Sequence, residues 1–305
     1  MSIVLNWKQQ PGQTLDSIEI YRYVNPRQSV NPNSPGSPLV VLPGNATTYE
    51  DTTTAPWTTY QYRIVSVKGN DKVMGMPIVQ GDFPYTGPGP QELIRGDWWR
   101  GYFGTLSNTE FILNAAELNG LIGFTAWNQN VTLFHKFVFK GRILFIPDSG
   151  TKVSTTWREQ YNQGLMWGTD DTGQRIPNNV TGVNQRKTFN KNGFEYVLRL
   201  PRMVDYTQNA DNTNYYGSPA SYAQEGEWWN TIDSIYRYNG WVRRFDHVER
   251  PASGSGTNVQ GVTLFANGYS NLYGMVFLAA SPMSPTYVNM DTACFVQHVI
   301  ELVLN

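Results

Sequence analysis

Residues 57 to 67 read Trp-Thr-Thr-Tyr-Gln-Tyr-Arg-Ile-Val-Ser-Val, with aromatic or aliphatic side chains alternating with polar ones. A period of two sends successive side chains to opposite faces, so this stretch predicts one half-buried strand, placed just after a corner of a β-sandwich.

The segments around it carry the same pattern. Ile3, Leu5 and Trp7 alternate, Ile18, Ile20 and Tyr21 follow, and Thr48-Tyr49-Glu50-Asp51-Thr52-Thr53 leads into the corner. Together these residues resemble a fibronectin type III domain over roughly the first quarter of the chain. The resemblance implies a sandwich with Trp7 on strand B, Ser17 to Val24 on strand C and Tyr49 near strand E. It places Tyr60, Tyr62, Ile64 and Ser66 on strand F, with Tyr60 as the corner tyrosine, and the last strand near Met74 to Val79. No strand A precedes Ile3. The expectation is that another subunit supplies a strand there or that the edge is covered in another way.

A length of 305 residues suggests two domains, enough to bury a core without disulfides. Phe83-Pro-Tyr-Thr-Gly-Pro-Gly-Pro-Gln91 supports neither helix nor central strand and marks the boundary. The expected organisation is a sandwich over 1–83, a Pro/Gly linker over 84–91 and a β-rich domain over 92–305. The fold class is therefore mainly β, with a few short helices in the larger part. A second proline-rich stretch, residues 25 to 38, reads as an exposed excursion between strands C and E and as a contact arm.

Beyond the boundary, Glu110 to Leu121 and Trp157 to Trp167 show helical spacing. Strands are expected at Thr132 to Phe139, Gly141 to Pro147, Phe194 to Pro201, Leu272 to Ala280 and Cys294 to Leu304. No repeat is evident, and the likeness of Gly96-Asp-Trp-Trp to Gly226-Glu-Trp-Trp reads as coincidence of composition.

The stretch from Lys140 to Pro201 carries a second resemblance. It runs Gly141-Arg-Ile-Leu-Phe-Ile-Pro147, then Trp157-x-x-x-Tyr161-x-x-Gly164-Leu165 and Gly168-Thr169-Asp170-Asp171. Gln185, Asn192-Gly193 and Val197-Leu198-Arg199-Leu200 follow, and Val299-Ile300-Glu301-Leu302 lies near the end. This phrase is similar to one in structural proteins of tailed bacteriophages. It implies a virion protein in a tail, collar or head appendage, made in the host cytoplasm, whose partners are other virion proteins and copies of itself.

Composition bears on the same expectation. Only 15% of residues are charged while 14% are aromatic, a balance suited to strands and loops packed against neighbouring subunits. The net charge is -1 and no basic run occurs, which argues against nucleic acid. The first residues lack the marks of a signal peptide and no apolar run reaches membrane-spanning length, so the expectation is no membrane insertion. The sequons at Asn45, Asn130 and Asn179 carry no weight without a secretory signal.

Chemistry has few candidates. His135, His247 and His298 lie far apart and Cys294 sits alone in an apolar run, so neither a metal nor another cofactor is expected. Asp246 and His247 are neighbours that face opposite sides of a strand. Asp170-Asp171-Thr172-Gly173 reads as a turn with side-chain caps before it reads as a calcium loop. Glu225 and Glu227 beside Trp228 and Trp229 are the one pair reminiscent of a glycosidase. The protein is not expected to be an enzyme.

Aromatic surface is what remains. Trp98, Trp99 and Arg100, Tyr215 and Tyr216, and Trp228 and Trp229 cluster in polar contexts, where such side chains anchor interfaces or stack sugars. Assembly is the first reading. The alternative is a host-surface adhesin that binds glycan through the same residues.

Overall fold

The alternating segments form strands, and the architecture of the chain is mainly β. The computed structural model describes residues 2–9, 11–173, 176–202, 226–231, 263–270, 273–278 and 281–304, with backbone alone at 228–229 and 263–288. Two compact units are present: Met1–Thr86 with Gly96–Gly101, and Gly87–Arg95 with Tyr102–Asn305.

The first unit holds β1 (Ile3–Asn6), β2 (Ser17–Tyr23), β3 (Val40–Pro43), β4 (Thr48–Asp51), β5 (Thr58–Lys68), β6 (Asp71–Met74) and β7 (Ile78–Asp82). β1 and β4 make a two-stranded sheet, and a second sheet runs β3-β2-β5-β6, with β7 pairing the first half of β5. Ile3 and Leu5 from the small sheet pack against Ile18, Ile20, Tyr60 and Tyr62 from the large one. That shared apolar layer makes the unit a β-sandwich. Polar side chains fix the corner. The Ala55 amide donates to Tyr60 Oη at 2.9 Å, and the Tyr62 hydroxyl donates to the buried Asp51 carboxylate at 2.7 Å. Burial pushes the Asp51 carboxyl up, but bonds from Thr53, Tyr62 and Arg22 outweigh it and leave its pKa below the ordinary value.

The proline-rich excursion is tied down at several points. Asn25 and Asn31 cap turns through their side chains, Tyr23 Oη donates to Pro35 O at 2.9 Å, and Gln61 Nε2 donates to Gln28 O at 3.0 Å.

The first strands of the second unit are β8 (Arg95–Gly96) and β9 (Arg100–Ser107), of which Gly96, Arg100 and Gly101 are grouped with the first unit. A 3-10 turn at Asn108–Glu110 and α1 (Ala115–Ile122) follow, then β10 (Leu133–Phe139), β11 (Arg142–Pro147), β12 (Lys152–Thr155) and α2 (Trp157–Asn162). β13 (Lys187–Lys191), β14 (Phe194–Arg199) and α3 (Glu227–Asn230) come next. The remaining strands are β15 (Thr263–Ser270), β16 (Tyr273–Leu278), β17 (Ser281–Asn289), β18 (Cys294–Val296) and β19 (Val299–Leu302). One sheet runs β13-β14-β19-β11-β10-β9-β8 and another β12-β18-β15-β16-β17.

The two predicted helical segments give shorter helices, for local reasons. In the first, Asn114 caps by accepting from the Glu117 amide, which starts α1 at Ala115, and Gly123 in the left-handed region stops it. In the second, Thr156 and Glu159 form a capping box, and Gly164 at a φ of 71° turns the chain soon after Asn162. The tail expected as one strand from Cys294 is two. β18 and β19 lie in different sheets, and Gln297 and His298 make the crossing. β17 forms in spite of Pro282 and Pro285 because it lies at the edge of its sheet.

The segment Gly87–Pro90 packs within the second unit. Gly87 and Gly89 have φ of 74° and 76°, and a Cβ on them would meet Phe145 and Leu106 at 3.2 and 3.0 Å. The fully buried Lys136 ammonium donates to Pro88 O at 2.9 Å and Pro90 O at 2.6 Å. It also lies 5.0 Å from the centre of the Phe103 ring. A lysine in an otherwise apolar strand was the one sequence signal for this contact.

Candidate binding face

Asp97 builds the turn that carries Trp98, Trp99 and Arg100. Its Oδ1 accepts from the Trp99 and Arg100 amides at 2.8 and 3.0 Å, and its own amide donates to Arg100 O at 3.1 Å. Gly96 makes the turn possible at a φ of 79°, since a Cβ there would lie 2.1 Å from Arg100 O. Arg27 of the proline-rich excursion pairs with Asp97 at 3.0 Å.

Trp98 ends an aromatic row within the first unit. Its ring stacks on Phe83 at 5.1 Å, Phe83 meets Trp57 edge to face at 6.0 Å, and Trp57 meets Tyr85 at 4.6 Å. Phe83 is buried, while Trp57, Tyr85, Trp98 and Trp99 remain half-exposed. Gly81 makes room for the stack, because a Cβ there would come within 2.7 Å of Phe83 and 3.0 Å of Trp98. Trp57 and Tyr85 belong to this row and had no part in the residues picked out by sequence. Their signal was spacing across a hairpin that only the β5–β7 register reveals.

The other candidates are placed as follows. Tyr215, Tyr216, Glu225, Asp246 and His247 lie outside the described residues, and Trp228 and Trp229 lie on α3. Glu227 is buried against Arg199, with Nη1–Oε1 at 2.8 Å and Nη2–Oε2 at 2.6 Å. A carboxylate held by both oxygens in a bidentate pair is poorly placed to move a proton to a glycosidic oxygen. Glu301 accepts from Arg199 Nε at 2.7 Å, completing a cluster at the base of β14 and β19.

The histidines take part in packing. His135 Nδ1 meets Tyr102 Oη at 3.0 Å, and burial lowers its pKa to about 4. His298 Nδ1 lies 2.7 Å from Thr151 Oγ1 and Nε2 lies 2.9 Å from Gln160 Oε1. The Gln160 amide nitrogen donates to Thr155, so its oxygen faces His298 and the ring proton resides on Nε2. Burial, helped by Lys152, lowers the pKa of His298 to about 3. Burial raises the Cys294 thiol to about 11. Asp171 Oδ1 accepts from Thr169 Oγ1 at 2.6 Å and from the Gly173 amide at 2.8 Å, so the acidic loop is a turn closed by its own caps. Among the described residues no three His, Cys, Asp or Glu side chains converge as a metal site requires. No helix among them is long and apolar enough to cross a membrane.

No protein-family model matches this chain, no curated protein matches it, and no solved structure matches it.

Proposed function

We propose that the protein is a structural component of a tailed phage particle, in a tail, collar or head appendage, and that it acts by protein–protein assembly. The half-exposed aromatic row ending in Trp98 and Trp99 carries this reading, because a rigid turn presents two indoles beside an arginine. Aromatic and arginine side chains on a preorganised support are what buried interface anchors are made of. The strand order of the first unit and the Tyr60 corner bond support a fibronectin type III-like sandwich, a module that serves as spacer or docking unit.

Host-surface glycan binding is the second reading, favoured by the same rings, since a half-exposed indole also stacks a sugar. The two separate in one experiment. Purified, labelled protein is tested for saturable binding to host cells and for blocking phage adsorption, beside its mass in solution and its capture by purified particles. Capture by particles without cell binding is the expected result. Saturable cell binding that blocks adsorption makes the protein an adhesin and overturns a purely structural role.

A further inference from the structure

The end of β5 and the start of β6 make the floor of a groove of about 360 Å3, and the connection from β1 to β2 makes its wall. Ser66 is the register partner of Val73 on β6 and of Ile18 on β2, and Lys68 is the register partner of Asp71. Side chains opposite one another in register share a face, and so do Ser66 and Lys68, two apart on one strand. The floor is therefore a row of Ile18, Ser66 and Val73 beside a second row of Lys68 and Asp71. Ile18 is 2% exposed and Val73 67%, so the first row runs from the core into the open.

The wall, which includes Trp7, Lys8 and Leu15, is pinned on two sides. Gln9 Nε2 donates to Gly44 O at 2.9 Å, and a Cβ on Gly44 would lie 1.9 Å from Leu15 O, so glycine is what lets the turn between β3 and β4 come this close. The Asp16 amide donates to Val67 O at 2.9 Å, and Asp16 Oδ2 accepts from the Gly69 amide at 2.6 Å, which bonds the wall to the hairpin that makes the floor. A groove built this way is preformed, and its volume falls within the ~300–1,000 Å3 of small-ligand sites. Its polar groups are uncommitted. The Ser66 hydroxyl makes no hydrogen bond, and Lys8, Lys68 and Asp71 make no ion pair, among the described residues. Lys68 and Asp71 stand apart although they are opposite charges in register, a position in which such charges ordinarily meet. Two lysines against one aspartate leave the groove with a positive balance.

We infer that this groove binds the pyranose ring of an acidic sugar, a uronic acid unit. Such a ring has an apolar C–H face for Trp7 and Val73, a rim of hydroxyls for Ser66 and Asp71, and a carboxylate for Lys8 and Lys68. A plain hydrocarbon would leave the hydroxyl and the charges unmet, and an inorganic anion would leave Val73 bare. The groove lies at the far end of β5 from Trp57, so it is a different site from the aromatic row. It goes beyond the assembly reading and does not rest on it.

The probe is methyl β-D-glucuronide, titrated into the full chain and followed by amide and indole NMR spectra, with methyl β-D-glucoside and hexanoate as comparisons. Saturable shifts of the Ser66 and Val73 amides and of the Trp7 indole N–H are expected with the glucuronide. The glucoside lacks the carboxylate and is expected to bind about tenfold more weakly, the worth of one charge-assisted bond. Lys68→Glu is expected to remove that preference, and Lys68 is exposed, so the variant keeps the fold. The same variant is expected to leave capture by particles unchanged, so this site and the assembly reading fail separately. Equal binding of the two sugars overturns the acidic class, and hexanoate shifts as large as those of the glucuronide overturn the sugar. Shifts at Trp98 and Trp99 with none at Ser66 place the sugar on the aromatic row and overturn this site. A folded sample that shows no saturable shift with any of the three overturns the proposal.

Discussion

Arg199 on β14 meets Glu227 on α3 through two parallel hydrogen bonds of 2.8 and 2.6 Å, with both side chains buried. Removing one carboxylate leaves Arg199 with Glu301 as its remaining counter-charge and costs the charge-assisted bonds to Glu227. Glu227→Gln is therefore expected to cost about 1.5–3 kcal/mol in chemical denaturation. A glycosidase carboxylate would instead show lost turnover with an intact fold, so the denaturation midpoint checks the assignment directly.

Acid is expected to weaken the protein early. His298 and His135 titrate near 3 and 4 in the folded chain and near 6.5 when unfolded. The unfolded chain thus binds more protons between those values, and stability falls as pH drops below about 6.5, at up to about 1.4 kcal/mol per pH unit for each ring. His298→Gln is expected to flatten part of that slope in a series of urea titrations from pH 7 to pH 4.5.

Lys136 carries the same trend to higher pH, and buried phenols then reverse it. Burial lowers the Lys136 ammonium to about 7, below its unfolded value near 10.4, so the unfolded chain holds the extra proton and stability rises with pH across that window. Burial of Tyr62 and Tyr196 raises their phenols well above the ordinary value, so stability falls again once unfolded phenols ionise near pH 10. Thermal melts are expected to peak between about pH 8 and pH 10, and Lys136→Met to remove the rise from pH 7 to pH 9.

Tyr196 is fully buried among Phe111, Phe145 and Phe189, and its hydroxyl has no hydrogen-bond partner among the described residues. Tyr196→Phe gives up no bond and relieves a desolvated hydroxyl. It is expected to be neutral or to stabilise by up to about 1 kcal/mol, measured by urea titration.

Trp99 tests the binding face without disturbing the fold. Its ring makes no hydrogen bond or ring contact among the described residues, unlike Trp98 on Phe83. Trp99→Ala is expected to leave the melting temperature unchanged and to weaken capture by particles by about 2 kcal/mol or more, read as a fall in affinity. Unchanged affinity would remove Trp99 from the interface.

The fold was legible wherever one face of a strand is buried and the other wet. β1 shows it, with Ile3 and Leu5 buried and Val4 and Asn6 exposed, whereas β5, expected as half-buried, is a strand whose second face is buried as well through Thr59, Gln61, Val65 and Val67. It was less legible in the second unit, where β10 and β11 are buried along nearly their whole length and carry no alternation. The break between β18 and β19 left only the polar pair Gln297-His298 in an apolar run, and what fixes the crossing is the bonding of His298 to Thr151 and Gln160. Trp98 and Trp99 could be picked out as a pair, but the row behind them depends on Trp57 and Phe83 meeting across the β5–β7 register. Arg199 stood out only as part of the Val197-Leu198-Arg199-Leu200 phrase, since nothing in its neighbours foretells Glu227 and Glu301.

The position of β19 has a consequence for the order of synthesis. It lies between β14 and β11 in the middle of the seven-stranded sheet, and Arg199 reaches Glu301 across 102 positions. A ribosome that has delivered β8 through β14 has made two half-sheets with a gap between them. Closure of this sheet waits for residues 299–302, and until they have left the exit tunnel the facing edges of β11 and β14 stay unpaired.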